Sequence, residues 1–366
     1  MTNIGIVGIG DISGIYLKNI TETFKELNIV AVCDLIKERA LNAQEKYKIP
    51  KVYNTMEELF ADESITVVLN LTRPYEHYGV SKGALLAGKH VYSEKPLGAS
   101  LEEGLELVKI AEEKGLMLGG APDTFLGASI QTCRKFIDDG NLGTVIGASG
   151  AMIGHGPESW HHDPEFFYKY GGGPMMDMGP YYVTALINLM GGVKRVTGVA
   201  QTSFKQRTAT CKEHYGEIID VEVPTFLTGV LHFESGVIAT LTTTFDVYKS
   251  NSRNIEIYGS KGTLFVPDPN CFGNEITYYD GETKETTTIP VSFDYTENSR
   301  ALGLADFAKA IETGRRPRTS YKQTLHVLEV MEAFKKSSDE GGTVDIKSEF
   351  VRENPMEQNN VHGIID

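Results

Sequence analysis

The run Asn3-Ile4-Gly5-Ile6-Val7-Gly8-Ile9-Gly10-Asp11-Ile12-Ser13-Gly14 sets a short β-branched strand directly against a glycine-rich turn, with a helical pattern beyond it. Gly8 permits a tight turn and Gly10 lets backbone approach a bound group. The following helix offers free N–H groups and the positive end of its dipole to a pyrophosphate. The third position of the G-x-G-x-x-G fingerprint is Ser13, with Gly14 one residue later, so the turn is a variant of that fingerprint. Gly8, Gly10, Asp11 and Ile12 are the candidate dinucleotide contacts.

Asp34 closes the next strand, IVAVCD, at about the 20-residue interval that the fingerprint requires. A carboxylate there accepts hydrogen bonds from the adenosine ribose hydroxyls and repels a 2′-phosphate, which favours NAD over NADP. Lys37 and Arg39 keep NADP open. The competing reading is a glycine turn that packs a helix on a strand, with Asp34 as a helix cap.

Outward from the turn, β-branched runs alternate with helical patterns from Asn3 to about Gly120: NIGIVG, a helix to about Leu27, IVAVCD, IKERALNAQEKY, TVVLN, YGVSKGALLAG, HVYSEK, LEEGLELVKIAEEK and LMLGG. This is the rhythm of βαβ units, which build a parallel sheet with right-handed crossovers. A helical segment from Thr124 to Asp139 follows, and then extended segments dominate: PTFLTGVLHF, GVIATLTTTFDV, NIEIYG and TLFV. Glu234-Ser235-Gly236 reads as the turn of an antiparallel hairpin. Helical patterns return at Leu302–Glu312 and Tyr321–Lys336. The chain is expected to be α/β, with residues 1–122 a dinucleotide-binding domain and 123–348 a second α/β domain rich in antiparallel strands. The polar stretch 349–366 is expected as a loose tail or an arm against another subunit.

Composition narrows the classes. A chain of 366 residues implies about two domains. With 41% hydrophobic and 23% charged residues, it can bury a sizeable core. A net charge of −14 has the wrong sign for nucleic acid or an anionic membrane surface. Cys33, Cys133, Cys211 and Cys271 are too scattered for a zinc ribbon or a disulfide framework and fit a reducing compartment. No apolar run approaches the roughly 20 residues that span a bilayer, and the N-terminus lacks a basic region and a cleavage site, so a soluble cytoplasmic protein is expected.

In the second half, Gly171-Gly172-Gly173-Pro174 lets backbone pass close to a ligand before a helix begins. Asp177 and Tyr181, four apart, share a helix face, although Pro180 makes this approximate. Such a pair could hold a sugar, the carboxylate accepting from a hydroxyl and the phenol exchanging a proton. Equally, Asp177 could cap the helix and Tyr181 lie in the core. The segment His155–Asp163 reads as a substrate loop, with Trp160 stacking on a sugar face and His161 bonding hydroxyls, or as an exposed loop without contacts. Its spacing fits no standard zinc motif, and no metal is expected.

Glu94-Lys95-Pro96 stands at the carboxyl end of a parallel strand, where open α/β sheets bind ligands. Together with GIVGIG, the loop NLTRPYEHYGV and the segment GGGPMMDMGPYYVTAL, it resembles the glucose-fructose oxidoreductase, inositol dehydrogenase and rhizopine catabolism family (Gfo/Idh/MocA) over almost the whole chain. The resemblance implies an N-terminal Rossmann domain and a C-terminal α/β domain with a large, mostly antiparallel open sheet that mediates homodimer or homotetramer contacts. It implies that Lys95 reaches both the nicotinamide region and a substrate hydroxyl, with Pro96 after a cis peptide bond, and that Leu71, Thr72, Pro74, His77 and Glu94 lie near the cofactor. For His77 a purely local hydrogen bond at a helix start is the alternative.

The commoner family pattern has histidine at the position of Tyr181 and aspartate at that of Thr184. Tyrosine there is similar to the glucose-fructose oxidoreductase and dihydrodiol dehydrogenase branches. An ordinary tyrosine titrates near about 10, so it needs a cation such as Lys95 to act as a base at neutral pH. The implied activity is NAD-dependent hydride transfer from a secondary alcohol of a sugar or polyol, with Lys95, Tyr181 and Asp177 as catalytic residues and Lys95, Trp160, His161, Asp177 and Tyr181 as substrate contacts. An NAD-dependent glycosidase and a non-catalytic NAD-binding regulator are the alternatives.

Overall fold

The computed structural model describes residues 1–358 and 361–366. The chain begins with β1 (Thr2–Val7), α1 (Ser13–Glu22), β2 (Leu27–Cys33), α2 (Lys37–Tyr47), β3 (Lys51–Tyr53), α3 (Met56–Ala61), β4 (Val67–Asn70), α4 (His77–Leu86), β5 (His90–Ser93), α5 (Leu101–Lys114) and β6 (Leu118–Gly120). It continues through α6 (Ala128–Asp138), β7 (Val145–Ile153), α7 (Pro174–Met190), β8 (Val193–Gln201), β9 (Gln206–Thr208), β10 (Ile218–Asp220), β11 (Phe226–Phe233) and β12 (Ile238–Thr244). Then come β13 (Ile255–Gly259), β14 (Gly262–Val266), β15 (Ile276–Asp280), β16 (Thr286–Ile289), α8 (Leu302–Thr313), α9 (Tyr321–Glu340) and β17 (Val344–Asp345).

Two compact units result: residues 1–128 with 293–325 and 353–366, and residues 129–292 with 326–352. In the first, six parallel strands run in the order β3-β2-β1-β4-β5-β6, the doubly wound order of a Rossmann sheet. Its central strands read as unbroken apolar runs because both faces are covered, and Ile4, Ile6, Val67, Val68 and Leu69 are fully buried. α5 shows how locally the helices are specified. Ser100 Oγ accepts from Glu103 N at its start, Gly115 in a left-handed conformation ends it, and Leu107, Val108 and Ala111 form its buried stripe.

Three differences from the sequence reading concern this unit. The first helix stops at Glu22 rather than about Leu27, because Thr23 N and Phe24 N both close on the Asn19 carbonyl and Leu27 already pairs with Thr2. Segment 293–325, expected in the second domain, packs here: Asp123 Oδ2 accepts from Ala301 N and Gly303 N, both at 3.0 Å, at the start of α8. The closing stretch is no loose tail in its described residues. Arg318 donates to the carbonyls of Asn354 (2.9 Å) and Pro355 (3.0 Å) and pairs with Asp306 and Asp366, while Met356 and Ile365 are buried.

The second unit is built on a nine-stranded sheet, β16-β15-β14-β13-β7-β12-β11-β8-β17, antiparallel except for the β7–β12 pair. The expected hairpin joins β11 to β12, with Phe226 opposite Thr244 and Gly236 at φ +87° in its turn. One face buries Ala148, Leu231, Ala239, Leu241 and Ile257, and α7 packs across β7, β11 and β12. The opposite face carries Val199, Thr228 and Thr242 in register, with Ile238 and Tyr258 exposed. β9 and β10 form a separate antiparallel pair.

Candidate active site

In the first unit the turn after β1 is fixed by its own backbone. Gly8 sits at φ +95°, and a Cβ there would lie 2.8 Å from the Leu71 carbonyl carbon and oxygen, so only glycine fits. A Cβ at Gly10 would meet nothing within 4 Å, which leaves open space over the turn. Ile12, at the start of α1, makes no side-chain cap bond, and the first helical turn holds no acidic residue, so the positive helix end is not offset there. Asp34 is bound to this turn: Oδ2 accepts from Ile9 N at 2.6 Å and Oδ1 from Ile36 N at 2.7 Å. The carboxylate thus serves the local backbone, yet each oxygen keeps a further lone pair for a ribose hydroxyl. Uncovered turn, uncapped helix end and strand-end carboxylate together fit a dinucleotide.

The loop after β4 is organised by Asn70, a residue the sequence did not single out. Its Oδ1 accepts from Thr72 N and Thr72 Oγ1, and its Nδ2 donates to the His77 carbonyl and Ser81 Oγ. Leu71 and Thr72 are thereby held against Gly8, and Pro74 opens a short helical turn. His77 is 1% exposed, with Nδ1 2.7 Å from the Pro96 carbonyl and Nε2 3.0 Å from that of Thr72. Burial lowers its pKa despite these acceptors. The proton of a neutral ring serves one of these two carbonyls, and both contacts brace the loop against the cis Lys95–Pro96 bond.

Glu94 is likewise internal. Its Oε1 accepts from Tyr16 OH at 2.7 Å and its Oε2 from Lys95 N at 2.9 Å, so its carboxylate bridges α1 and the end of β5 rather than facing outward. Tyr16 is pushed well above its ordinary pKa, first by burial and then by Glu94, and stays a donor. Lys95 follows, partly exposed. The first unit therefore links Asp34, the glycine turn, Leu71, Thr72, His77, Glu94 and Lys95 in one bonded framework.

In the second unit Gly173 N donates to the Phe167 carbonyl at 2.6 Å, and a Cβ at Gly172 would sit 2.5 Å from the Phe166 carbonyl. α7 starts there, with Pro174 in its first turn, Asp177 half-buried one turn on, and Tyr181 buried after Pro180 within the helix. Thr184 is buried and its hydroxyl has no partner among the described residues. The Trp160 loop reaches the same point: the rings of Trp160 and His161 stand edge-on to Phe167 at 6.1 and 5.0 Å. Trp160 is 68% exposed, with its indole N–H on the Gly156 carbonyl. His161 Nδ1 accepts from Asp163 N, which places a neutral ring's proton on Nε2. Phe167 thus ties the loop of Trp160 and His161 to the helix of Asp177 and Tyr181.

Beneath that loop lies a feature with no sequence signal. Arg207, deeply buried, donates from Nε to Glu158 Oε1 (2.5 Å), from Nη1 to Asp246 Oδ1 (3.0 Å) and the Phe245 carbonyl, and from Nη2 to the His155 carbonyl (2.7 Å). Glu158 also accepts from Tyr168 OH at 2.8 Å. One cation therefore fixes the loop, β9 and the end of β12.

Two family models match the chain: an oxidoreductase family with an NAD-binding Rossmann fold over residues 2–120, and the GFO/IDH/MocA C-terminal domain over residues 130–265. The chain is 25% identical to D-xylose 1-dehydrogenase (NADP(+)) 2 of Haloferax volcanii, over 93% of this chain and 99% of that one. It is 22% identical to myo-inositol 2-dehydrogenase of Thermotoga maritima, over 94% and 98%. In fold it is similar to levoglucosan dehydrogenase, solved with NADH and L-sorbose, with TM-score 0.81, 18% identity and coverage of 95% and 99%. Among the described residues, no helix is long and apolar enough to cross a membrane.

Proposed function

This chain belongs to the GFO/IDH/MocA oxidoreductase family, and from that premise we propose that it is an NAD-dependent dehydrogenase acting on a secondary alcohol of a sugar or polyol. The observation that carries this reading is the framework running from Asp34 through the glycine turn to Lys95, which holds a lysine at a strand end where this fold binds ligands. When bound, NAD would accept hydride at its nicotinamide C4.

The chain's own residues supply binding, orientation and proton handling. The Lys95 ammonium offsets the charge that develops on the substrate oxygen, and Tyr181, as the phenolate that such a cation favours, takes up the hydroxyl proton as the alcohol is oxidised. Asp177 accepts from a neighbouring hydroxyl and orients the ring, and Trp160 and His161 bound it from the loop. The strand-end carboxylate Asp34 favours NAD over NADP. The half-apolar open face of the nine-stranded sheet, with Val199, Ile238 and Tyr258, supports assembly of two or four copies.

The test is NADH formation by the full chain across sugars, inositols and anhydrosugars, with NADP in parallel and Lys95→Ala as control. NAD-dependent turnover that falls by at least about 100-fold in the variant is expected. Equal activity of variant and parent overturns the assignment. Sugar release without net NADH identifies a glycosidase, and NAD binding without turnover a regulator.

A further inference from the structure

The second unit holds a cleft of about 470 Å³ beside the Arg207 network. Its floor is aromatic: the Tyr248 ring, 85% exposed, lies 3.6 Å from the His155 ring at 19°, a stacked pair with one face to solvent. One wall is polar, formed by Gln206, Thr208 and Thr210, which alternate along one strand face while Arg207 points inward. This wall and floor occupy none of the residues placed in the catalytic machinery.

One buried polar atom at the cleft lacks a partner, and one buried donor group is only half used. His155 Nδ1 has no hydrogen-bond partner among the described residues. The Arg207 guanidinium carries five N–H donors, and its contacts to Glu158, Asp246, Phe245 and His155 use four, leaving one Nη2 hydrogen. A buried polar group without a partner is costly, so a ligand offering both a donor and an acceptor gains here. The charge argues against an anion, because Glu158 and Asp246 more than offset Arg207. A neutral polyhydroxyl ring meets all three conditions: its C–H face covers the Tyr248 platform, and its hydroxyls serve the threonines, His155 Nδ1 and the unused Nη2 hydrogen.

We propose that this cleft binds a second sugar ring, so that the substrate class is a disaccharide or glycoside rather than a monosaccharide. The ligand choice rests on the dehydrogenase reading, since one loop supplies His155, Gly156 and Glu158 to the cleft and Trp160 and His161 to the substrate.

The test compares parent, Tyr248→Ala and Tyr248→Phe in steady-state kinetics with NAD on maltose, cellobiose and trehalose against glucose, with calorimetric titration of the same sugars. Tyr248 is exposed, so folding is not at stake. Tyr248→Ala should raise KM for the preferred disaccharide about tenfold with kcat and the glucose constants unchanged, and Tyr248→Phe should restore it. A parent that neither binds nor oxidises any of these disaccharides, or a Tyr248→Ala variant that shifts both sugar classes alike or neither, overturns the proposal. Tyr248-dependent binding without turnover of any sugar upholds the cleft and retires the dehydrogenase reading.

Discussion

The Tyr16 hydroxyl donates to Glu94 Oε1 at 2.7 Å while Glu94 Oε2 accepts from Lys95 N at 2.9 Å, so a residue in the first helix sets the backbone of the candidate catalytic lysine. Tyr16→Phe leaves a buried carboxylate oxygen without its donor. Urea unfolding should show a loss of about 1–3 kcal/mol. The turnover of Lys95 should fall with unchanged NAD affinity, and a variant equal to the parent in both would remove Tyr16 from this role.

Asp34 combines a structural bond to Ile9 N with the placing of negative charge beside the turn. Asp34→Ala should weaken NAD binding and strengthen NADP binding, narrowing the ratio of the two dissociation constants by about tenfold or more. Fluorescence titration of both cofactors checks this. A parent that already binds NADP as tightly as NAD contradicts the role given to the carboxylate.

Asp123, fully buried at the start of α8, has its pKa raised to about 6, chiefly by burial. Its folded value lies above the unfolded one of about 4, so the folded state binds more protons between these limits. Stability from this group is therefore present below about pH 4 and lost as pH rises to about 6, a difference of about 3 kcal/mol. Asp123→Asn keeps the oxygen that accepts from Ala301 and Gly303 and cannot ionise. Unfolding curves from pH 4 to 7 should show a falling slope in the parent that flattens in the variant.

Arg207→Met strips the cation from two buried carboxylates, Glu158 and Asp246. The expected cost is about 3–5 kcal/mol, read as a lower midpoint in thermal unfolding. Adding Glu158→Gln should recover part of it, because one uncompensated charge is then gone. An Arg207→Met protein as stable as the parent would show that the network contributes nothing.

The elements that the sequence revealed are those written in local chemistry. α5 carries its serine cap, its apolar stripe and its terminal glycine within one run, and the β1 turn carries the glycines its backbone demands. The short α3, with Leu59 and Phe60 as its buried residues, leaves too little periodicity to detect. The contact of His77 with the Pro96 carbonyl had no sequence signal, because Pro96 lies in the loop after β5, 19 residues along the chain.

The order of residues by itself determined the parallel first sheet, the antiparallel strands of the second, the glycine-rich turn after β1 and the lysine at the end of β5, since each follows from periodicity or from a conformation that few residues adopt. Only the tertiary structure decided that segment 293–325 and the polar C-terminal stretch return to the first unit, that Asn70 and Tyr16 hold the loops after β4 and β5, and that Arg207 binds three segments of the second. Those features are hydrogen bonds and ion pairs between residues far apart in the chain. Their energy depends on burial and on partners that only folding brings together.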